Sequence, residues 1–256
     1  MSGAQAYPDL SGQHVFVTGA ARGLGRSVAE KLSSCGATVA VADVDAAGCD
    51  AVVKGMRAAG GVAFAYPVDV AMRDEFMQAA AQFAQACGRI DAMVNNAMLL
   101  RYEPVEKITP ETLNRMTAIG INGSIWGAQA LLKHYDAARG GAIINMASPV
   151  AEKGFPNTAA YSLVKGAIVT LTKVLAAELG PRNVRVNAIA PGSVPTPGAL
   201  GLNDKAEYER RIHSIPLRRL GREQDNAEAC AFLLSGAASF INGEILHVDG
   251  GIAAAG

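Results

Sequence analysis

The chain has 256 residues, of which 50% are hydrophobic and 18% are charged, and its 23 basic and 23 acidic residues give a formal net charge of zero. A chain of this length and composition can bury a large apolar core without disulfides or a structural metal, which argues against disorder. Because a zero net charge creates no field that attracts a polyanion, we expect no nucleic-acid partner. No apolar run reaches the roughly 18 residues that span a bilayer, and residues 1–12 lack a signal-peptide pattern, so we expect no membrane partner and a cytoplasmic location.

Short β-branched segments alternate with longer segments of helical periodicity along the chain. This alternation predicts right-handed crossovers and an α/β fold, a doubly wound, Rossmann-like, seven-stranded parallel sheet flanked by helices on both faces. No repeat or polar linker divides the sequence, so we expect residues 1–256 to form a single domain. The predicted strands are Val15–Val17, Thr38–Ala42, Val62–Tyr66, Ile90–Val94, Ala142–Asn145, Val184–Ile189 and Ile245–Val248. The predicted helices are Leu24–Ser34, Ala46–Ala59, Asp74–Ala86, Pro110–Tyr135, Thr158–Leu179 and Asp225–Leu234.

One region, about residues 191–222, follows neither periodicity. Prolines and glycines such as Pro191, Pro195 and Gly198 interrupt it directly after a predicted strand. A loop at the carboxyl edge of a parallel sheet often covers a ligand, and we expect this loop to cover the substrate. The alternative is a mobile surface loop.

The segment between the first strand and the first helix is rich in glycine. Gly19, Gly23 and Gly25 have the spacing G-x-x-x-G-x-G, which allows a tight turn and a close approach of the backbone to a diphosphate. The following helix directs its N-terminus at that anion. The pattern therefore predicts a dinucleotide site.

Two charged residues give opposite indications about the cofactor. Asp43 ends the second strand, where a carboxylate accepts hydrogen bonds from the adenosine ribose and repels a 2′-phosphate, and Asp45 is an alternative acceptor. Arg22, in the glycine loop, can instead pair with that phosphate. Because Asp43 occupies the contact position, we expect NAD, with NADP as the less favoured cofactor.

Three polar residues form a candidate catalytic group. Tyr161 and Lys165 are four residues apart on one face of a predicted helix, and Ser148 follows the fifth strand. A lysine ammonium and a nicotinium ring near a tyrosine lower the pKa of the phenol from about 10, which makes it a usable proton acceptor near neutral pH. The alternative is a Tyr-Lys pair on a solvated helix face, but the presence of the glycine loop in the same chain favours catalysis.

With these residues, the sequence resembles the short-chain dehydrogenase/reductase family in its single-domain Tyr-x-x-x-Lys form. The resemblance extends from about Ser11 to Gly251. The matching positions are Thr18–Gly25, Asp69-Val70, Asn95-Asn96-Ala97, Asn122, Ser148, Tyr161, Lys165, Asn187–Gly192, Thr196 and Val248–Gly251.

The resemblance implies hydride transfer between NAD(H) and a secondary alcohol or ketone. It implies that Tyr161 exchanges the hydroxyl proton while Ser148 holds the same oxygen. It further implies that Lys165 binds the nicotinamide ribose and lowers the pKa of Tyr161, and that Asn122 positions a proton-relay water. The expected cofactor contacts are Gly19, Arg22, Gly23, Leu24, Gly25, Asp43, Asp69, Val70, Asn96, Ala97, Tyr161, Lys165, Pro191, Gly192, Val194 and Thr196.

One position departs from the family pattern, because Met98 replaces the glycine that follows Asn-Asn-Ala. Either the backbone there needs no positive φ and Met98 reaches the substrate cavity, or cofactor affinity is compromised. We favour the first interpretation. Together with Ser148 and Tyr161, we expect the substrate pocket to contain Met98, Leu100, Val150 and Phe155.

This lining favours an apolar or cyclic small-molecule substrate, although each apolar side chain could be ordinary core. The scattered Cys and His residues have no metal-ligand spacing, so we expect no metal and free thiols. Small residues on the two longest predicted helices suit close helix pairing between subunits. The resemblance implies that these helices build dimers that pair into tetramers, so we expect a homotetramer or a homodimer.

Two other functions remain open. Five arginines between Arg210 and Arg222 could receive an acidic carrier protein or an anionic substrate, or could form a solvated face balanced by Glu207, Glu209 and Glu223. The first reading corresponds to an NADPH-dependent 3-ketoacyl reductase acting on carrier-linked substrates. The second alternative is a non-catalytic dinucleotide-sensing protein. Enoyl reductases of the resembled fold usually have their Tyr and Lys further apart in the sequence. The four-residue spacing of Tyr161 and Lys165 therefore disfavours an enoyl reductase.

Overall fold

The computed structural model describes residues 8–198 and 205–255. Seven parallel strands form one sheet in the order β3-β2-β1-β4-β5-β6-β7. This arrangement confirms the predicted fold class. The strands are β1 His14–Thr18, β2 Thr38–Asp43, β3 Val62–Pro67, β4 Ala92–Asn95, β5 Gly141–Met146, β6 Val184–Pro191 and β7 Ile245–Val248.

Helices cover both faces of the sheet. Residues of the first, second and last helices pack in one apolar cluster, and residues of the third, fifth and sixth helices pack in another. The helices are α1 Gly23–Ser34, α2 Ala46–Ala58, α3 Arg73–Cys87, α4 Pro110–Thr117, α5 Gly123–His134, α6 Ala159–Leu179, α7 Lys205–Ser214 and α8 Glu223–Leu234.

Strand β1 illustrates why the central strands are mainly apolar. Val15 and Val17 point into the core under α1 and α2, whereas Phe16 points to the opposite face. There the Phe16 ring contacts those of Phe76 and Phe83, at centroid distances of 5.7 and 5.9 Å. Because both faces are buried, a polar side chain in such a strand needs a hydrogen-bond partner, as Thr18 has in the carbonyl oxygen of Val94.

The order of the strands reverses at β1, which pairs with β2 on one side and β4 on the other. The loops that leave the carboxyl ends of β1 and β4 therefore diverge and open a crevice, the usual ligand position in such sheets. Thr18, Asn95 and Met146 end three adjacent strands at this edge.

The helix predicted over Pro110–Tyr135 is not a regular α-helix. A π-helical turn at Ala118–Asn122 separates α4 from α5. The wide turn lies where α6 approaches closely, since a Cβ on Gly120 would lie only 2.4 Å from Cγ1 of Val164. The interruption is a tertiary effect, which helical periodicity alone does not reveal.

The region predicted as a loop, about residues 191–222, contains α7, so the prediction was wrong in this part; residues 199–204 lie outside the described residues. Helix α7 is highly polar and is stabilised locally by ion pairs. Oxygens of Glu207 accept from Arg210 at 2.6 Å and from Arg211 at 2.8 Å, one turn along the helix. The flanking prolines and glycines obscured this short helix in the sequence.

Strand β4 begins at Ala92 rather than at the predicted Ile90. The backbone N–H of Ile90 donates to the carbonyl oxygen of His134, at 3.0 Å, and thus holds the end of α5 instead of a neighbouring strand. Within the described ranges, no helix has both the length and the hydropathy to cross a bilayer.

Candidate active site

The glycine loop adopts the geometry that a dinucleotide site requires. Gly19 and Gly23 have φ angles of +65° and +60°, a region that favours glycine. A Cβ on Gly25 would lie 2.1 Å from the carbonyl oxygen of Gly19, so no larger residue fits there. Since α1 begins at Gly23, its N-terminal N–H groups face the crevice, and the loop fits a cofactor diphosphate.

Asn96 and Thr18 fasten this loop to β4. The Asn96 amide Nδ2 donates to the carbonyl oxygens of Thr18, at 2.9 Å, and Gly19, at 3.0 Å. In return the Thr18 hydroxyl oxygen accepts from the backbone N–H groups of Asn96 and Ala97. Sequence reasoning assigned Asn96 and Ala97 to the cofactor and overlooked the role of Thr18; in the structure all three support the loop.

Asp43 lies beside the glycine loop at the end of β2. Its Oδ2 accepts from the backbone N–H of Ala21 and its Oδ1 from that of Asp45, both at 3.1 Å. Each carboxylate oxygen keeps a further lone pair for a ribose hydroxyl. Asp45, the alternative acceptor, caps α2 by accepting from Gly48 N–H at 2.9 Å, and the Arg22 side chain is exposed.

The carboxylate of Asp69 is bound by a partner that sequence reasoning missed. Arg115 of α4 donates to Asp69 Oδ2 at 2.6 Å, and the backbone N–H of Ala71 donates to Oδ1 at 3.0 Å. Val70 is buried against α5, where a Cβ on Gly123 would lie 3.1 Å from its Cγ2. Any contact of Asp69 with an adenine ring would therefore be shared with Arg115.

Ser148, Tyr161 and Lys165 line one cavity at the carboxyl edge of the sheet. Ser148 follows β5 and starts a short turn, while Tyr161 and Lys165 lie in the first turns of α6. Desolvation by the surrounding protein raises the pKa of Tyr161 above its ordinary 10, and Tyr102 raises it further, while a hydrogen bond with Ser148 lowers it. The net direction for the protein alone is therefore upward, whereas the lowering expected from the sequence also involves a nicotinium ring beside the phenol.

Lys165 is held by a backbone carbonyl group. Its Nζ donates to the carbonyl oxygen of Met146 at 2.5 Å and lies 5.6 Å from the centroid of the Tyr161 ring. The side chain is only 5% exposed, and burial lowers the pKa of Lys165 from 10.5 to about 8. The Met146 carbonyl, which holds the ammonium, has no signature in the sequence.

Asn122 ends the π-helical turn and is half-buried. It is not part of the cavity wall that contains Tyr161. Other predicted positions also lie outside this wall, in the cofactor loop and along the crevice: Gly19, Arg22, Gly23, Gly25, Asp43, Asp69, Val70 and Ala97. The predicted cofactor positions within the wall are Leu24, Asn96, Tyr161, Lys165, Pro191, Gly192, Val194 and Thr196.

The cavity has a volume of about 940 Å³ and two kinds of wall. The predicted Met98, Leu100, Val150 and Phe155 supply apolar surface beside Ser148 and Tyr161. Helix α7 supplies a polar wall, and it lies in the segment that was expected to cover the substrate. Its cavity residues are Glu207, Tyr208, Arg210, Arg211 and Ser214.

The structure agrees with the first interpretation of Met98, in which the backbone needs no positive φ and the side chain reaches the cavity. Its φ is not in the left-handed region, so the backbone does not require the family's glycine. The side chain lines the cavity and covers the π-helical turn, where a Cβ on Gly120 would lie 3.0 Å from Sδ of Met98.

The arginines between Arg210 and Arg222 form several ion pairs. Arg210 and Arg211 both bind Glu207, and Arg219 binds Asp225 at 2.7 Å. The expectation that acidic residues neutralise this arginine-rich face is therefore met in part. Asp225 pairs with Arg219 in addition to the predicted Glu207 pairs. Two of these arginines nevertheless line the cavity.

Comparisons with known proteins agree with this fold. The model of a family described as enoyl-(acyl carrier protein) reductase matches residues 19–253. A curated relative, a 3-oxoacyl-[acyl-carrier-protein] reductase of Thermotoga maritima, is 32% identical, covering 95% of this chain and 98% of its own length.

Two solved structures are also similar. One is a 7α-hydroxysteroid dehydrogenase complexed with NADH and 7-oxoglycochenodeoxycholic acid, with a TM-score of 0.92 and 32% identity over 95% of each chain. The other is a gluconate 5-dehydrogenase from Burkholderia cenocepacia with NADP and tartrate, with a TM-score of 0.91 and 31% identity over 96% of this chain and 97% of that one. The protein is thus an oxidoreductase. It belongs to the short-chain dehydrogenase/reductase family.

Proposed function

We propose that this single-domain protein oxidises a cyclic or largely apolar secondary alcohol, or reduces the matching ketone, with NAD(H). The observation that carries the proposal is that Ser148, Tyr161 and Lys165 meet in one cavity next to the glycine loop. A bound nicotinamide ring would supply the hydride chemistry. The residues of this chain hold the substrate and move its proton.

Tyr161 is the proton acceptor for the alcohol, and Ser148 holds the same oxygen by a hydrogen bond. The raised pKa of Tyr161 keeps the phenol protonated before catalysis, which suits it to donate a proton in ketone reduction. In alcohol oxidation the ammonium of Lys165 favours the phenolate, and Asn122 positions the water that relays the proton outward. The apolar wall excludes bulk water, which strengthens these interactions.

The cofactor would lie between the glycine loop and the cavity. Gly19, Gly23 and Gly25 would face its diphosphate, Asp43 its adenosine ribose and Lys165 its nicotinamide ribose. The remaining expected contacts extend along the same crevice: Arg22, Leu24, Asp69, Val70, Asn96, Ala97, Pro191, Gly192, Val194 and Thr196. Asp43 supports NAD over NADP, because a 2′-phosphate beside its carboxylate would be repelled.

A 3-ketoacyl reductase is the second candidate. The arginines of α7 at the cavity favour it, because they suit an acidic carrier, and so does the similarity to the Thermotoga maritima protein. Asp43 opposes the NADPH dependence that this alternative assumes. A purely sensing protein would not need Ser148, Tyr161 and Lys165 together in one cavity.

One experiment separates these candidates. Purified protein is mixed with NAD or NADP and a panel of secondary alcohols, and reduced nicotinamide is followed at its absorbance band. The panel contains cyclic, aromatic and polyhydroxy alcohols and a hydroxyacyl thioester. We expect NAD-dependent oxidation of cyclic alcohols. Exclusive turnover of the thioester with NADP would favour the second candidate, and turnover of none would favour the sensor.

We also propose a homotetramer, or a homodimer, in the cytoplasm. Leu163 and Val174 are exposed apolar residues on α6, a surface suited to a partner subunit, and all four cysteines are free thiols, as in a reducing compartment. Sedimentation that detects only a monomer at micromolar concentration would contradict the assembly.

A further inference from the structure

Helix α7 adds to the cavity a group of polar atoms that hydride transfer does not use. Arg211 lines the cavity together with Tyr102 and Tyr208. We propose that these three side chains bind a carboxylate, or a similar anionic group, of the substrate. The proposal rests on the function proposed above and specifies its substrate class as hydroxy acids or keto acids in which an apolar ring separates the two functional groups.

The guanidinium of Arg211 has donors available for such a group. Its Nε donates to Glu207 Oε1 at 2.8 Å, and its two Nη atoms have no protein partner within the described ranges. These two terminal nitrogens form a planar fork that matches the two oxygens of a carboxylate. Glu207 therefore orients Arg211 through Nε and leaves the fork exposed to the cavity.

Tyr208 provides a second observation that points to a ligand. Its hydroxyl oxygen is buried and makes no hydrogen bond with the described residues. A buried hydroxyl without a partner is unfavourable, since it has lost its water. An oxygen of the substrate at this position would accept from the Tyr208 hydroxyl while the Arg211 fork binds the same anion.

Tyr102 connects this subsite to the reacting centre. Tyr102, Tyr208 and Arg211 line the same cavity, where burial raises the pKa of Tyr102, the charge of Arg211 lowers it and Tyr208 raises it. The Tyr102 ring packs edge-on against that of Tyr161, with centroids 5.5 Å apart and an interplanar angle of 65°. The anionic group would thus lie about one aromatic ring away from the phenol that exchanges the proton.

The remaining charges of this wall are compatible with an anion. Hydrogen bonds from Arg211 and Arg210 lower the pKa of Glu207, so it is ionised at neutral pH and already neutralised in part by both guanidinium groups. Because Arg211 can bind two carboxylates through different nitrogens, the substrate does not have to displace Glu207.

The test compares two probes that differ only in charge: a para-substituted hydroxycyclohexane carboxylate and the matching carboxamide. For the wild type with NAD, we expect a kcat/KM about tenfold or more higher for the carboxylate, mainly through KM, because hydrogen bonds between charged groups are the stronger ones. Arg211→Gln should bring this ratio close to one, Arg211→Lys should restore part of it, and Tyr208→Phe should reduce it.

Arg218→Gln is the matched control, because it removes one positive charge from a neighbouring residue that does not line the cavity. In this variant the ratio of kcat/KM values for the carboxylate and the carboxamide should equal that of the wild type. An equal loss in Arg218→Gln and Arg211→Gln would mean that only the general field matters, and would overturn the subsite. A wild-type ratio of one would overturn it as well.

Binding of both probes to the protein with NADH, measured by calorimetry, separates the subsite from the proposed function. Tighter binding of the carboxylate that depends on Arg211, without any turnover, would support the subsite and contradict alcohol oxidation. Turnover of both probes with equal affinity in wild type and Arg211→Gln would support alcohol oxidation and contradict the subsite.

Discussion

The Lys165 ammonium lies 5.6 Å from the centroid of the Tyr161 ring, one helical turn away, and donates to the carbonyl oxygen of Met146. The two side chains thus form one group between α6 and the end of β5, in which Lys165 is buried and Tyr161 is half-buried. The group combines a phenol whose pKa is raised with an ammonium whose pKa is lowered, both chiefly by desolvation.

Replacing Tyr161 by Phe removes the proton-transfer group and keeps the ring that packs against Tyr102. We expect kcat for alcohol oxidation to fall by about 10²- to 10⁴-fold, the usual contribution of a positioned acid or base. The dissociation constant of NADH, from fluorescence titration, should remain near the wild-type value. Turnover that is unchanged in this variant would reject the role given to Tyr161.

Because burial lowers the pKa of Lys165, we expect the free energy of unfolding to rise at alkaline pH. Its folded pKa of about 8 lies below the ordinary 10.5, so below pH 8 both the folded and unfolded states are protonated and the fold carries the full cost of a buried charge. Between pH 8 and 10.5 the folded state releases its proton first, and stability rises.

We therefore expect the unfolding free energy of the wild type, relative to Lys165→Met, to increase by roughly 2–3 kcal/mol across this window. Urea unfolding of both proteins at neutral and alkaline pH measures the difference. Parallel pH curves for the two proteins would contradict the lowered pKa of Lys165.

Asp43→Ala should narrow the preference for NAD over NADP, because it removes the carboxylate that accepts from ribose hydroxyls and repels a 2′-phosphate. The cofactor preference is measured as the ratio of the kcat/KM value with NAD to the kcat/KM value with NADP. Asp45→Ala is the matched control. It removes the cap of α2 and should cost about 1 kcal/mol of stability while leaving the ratio unchanged. A changed ratio only in Asp45→Ala would assign the ribose contact to Asp45.

Gly25→Ala should destabilise the protein and weaken NADH binding. The new Cβ would lie 2.1 Å from the carbonyl oxygen of Gly19 and 2.4 Å from Nδ2 of Asn96, so the loop has to move. Overpacking of this kind costs about 1–3 kcal/mol. Gly55→Ala, at an exposed position of α2 with no atom within 4 Å of the new Cβ, is the control and should be neutral or stabilising in thermal unfolding. Equal effects of both substitutions would contradict the close packing of the loop.

Local patterns in the sequence predict most of the fold. Val15, Phe16 and Val17 form a buried strand because each face of the sheet is covered, and such a run is visible without the structure. The glycine spacing predicts the loop, since positive φ at Gly19 and Gly23 is a local requirement. The four-residue interval between Tyr161 and Lys165 fixes their common helix face.

Features that depend on distant chain segments could not be predicted. The π-helical turn forms where Val164 approaches Gly120, and the Arg115–Asp69 ion pair joins residues 46 positions apart. The direction of the pKa shift at Tyr161 depends on how much protein surrounds the phenol, which a sequence spacing does not contain. The polar cavity wall required α7, whose apolar residues are too few for a clear amphipathic pattern.

The hydrogen bonds between the segments of Thr18 and Asn96 affect the entropy cost of binding a dinucleotide. Four hydrogen bonds, including one to the Gly19 carbonyl, connect the ends of β1 and β4, beyond which the two loops diverge. We therefore expect the glycine loop to be ordered before a nucleotide binds, so that its ordering entropy is lost during folding rather than during binding.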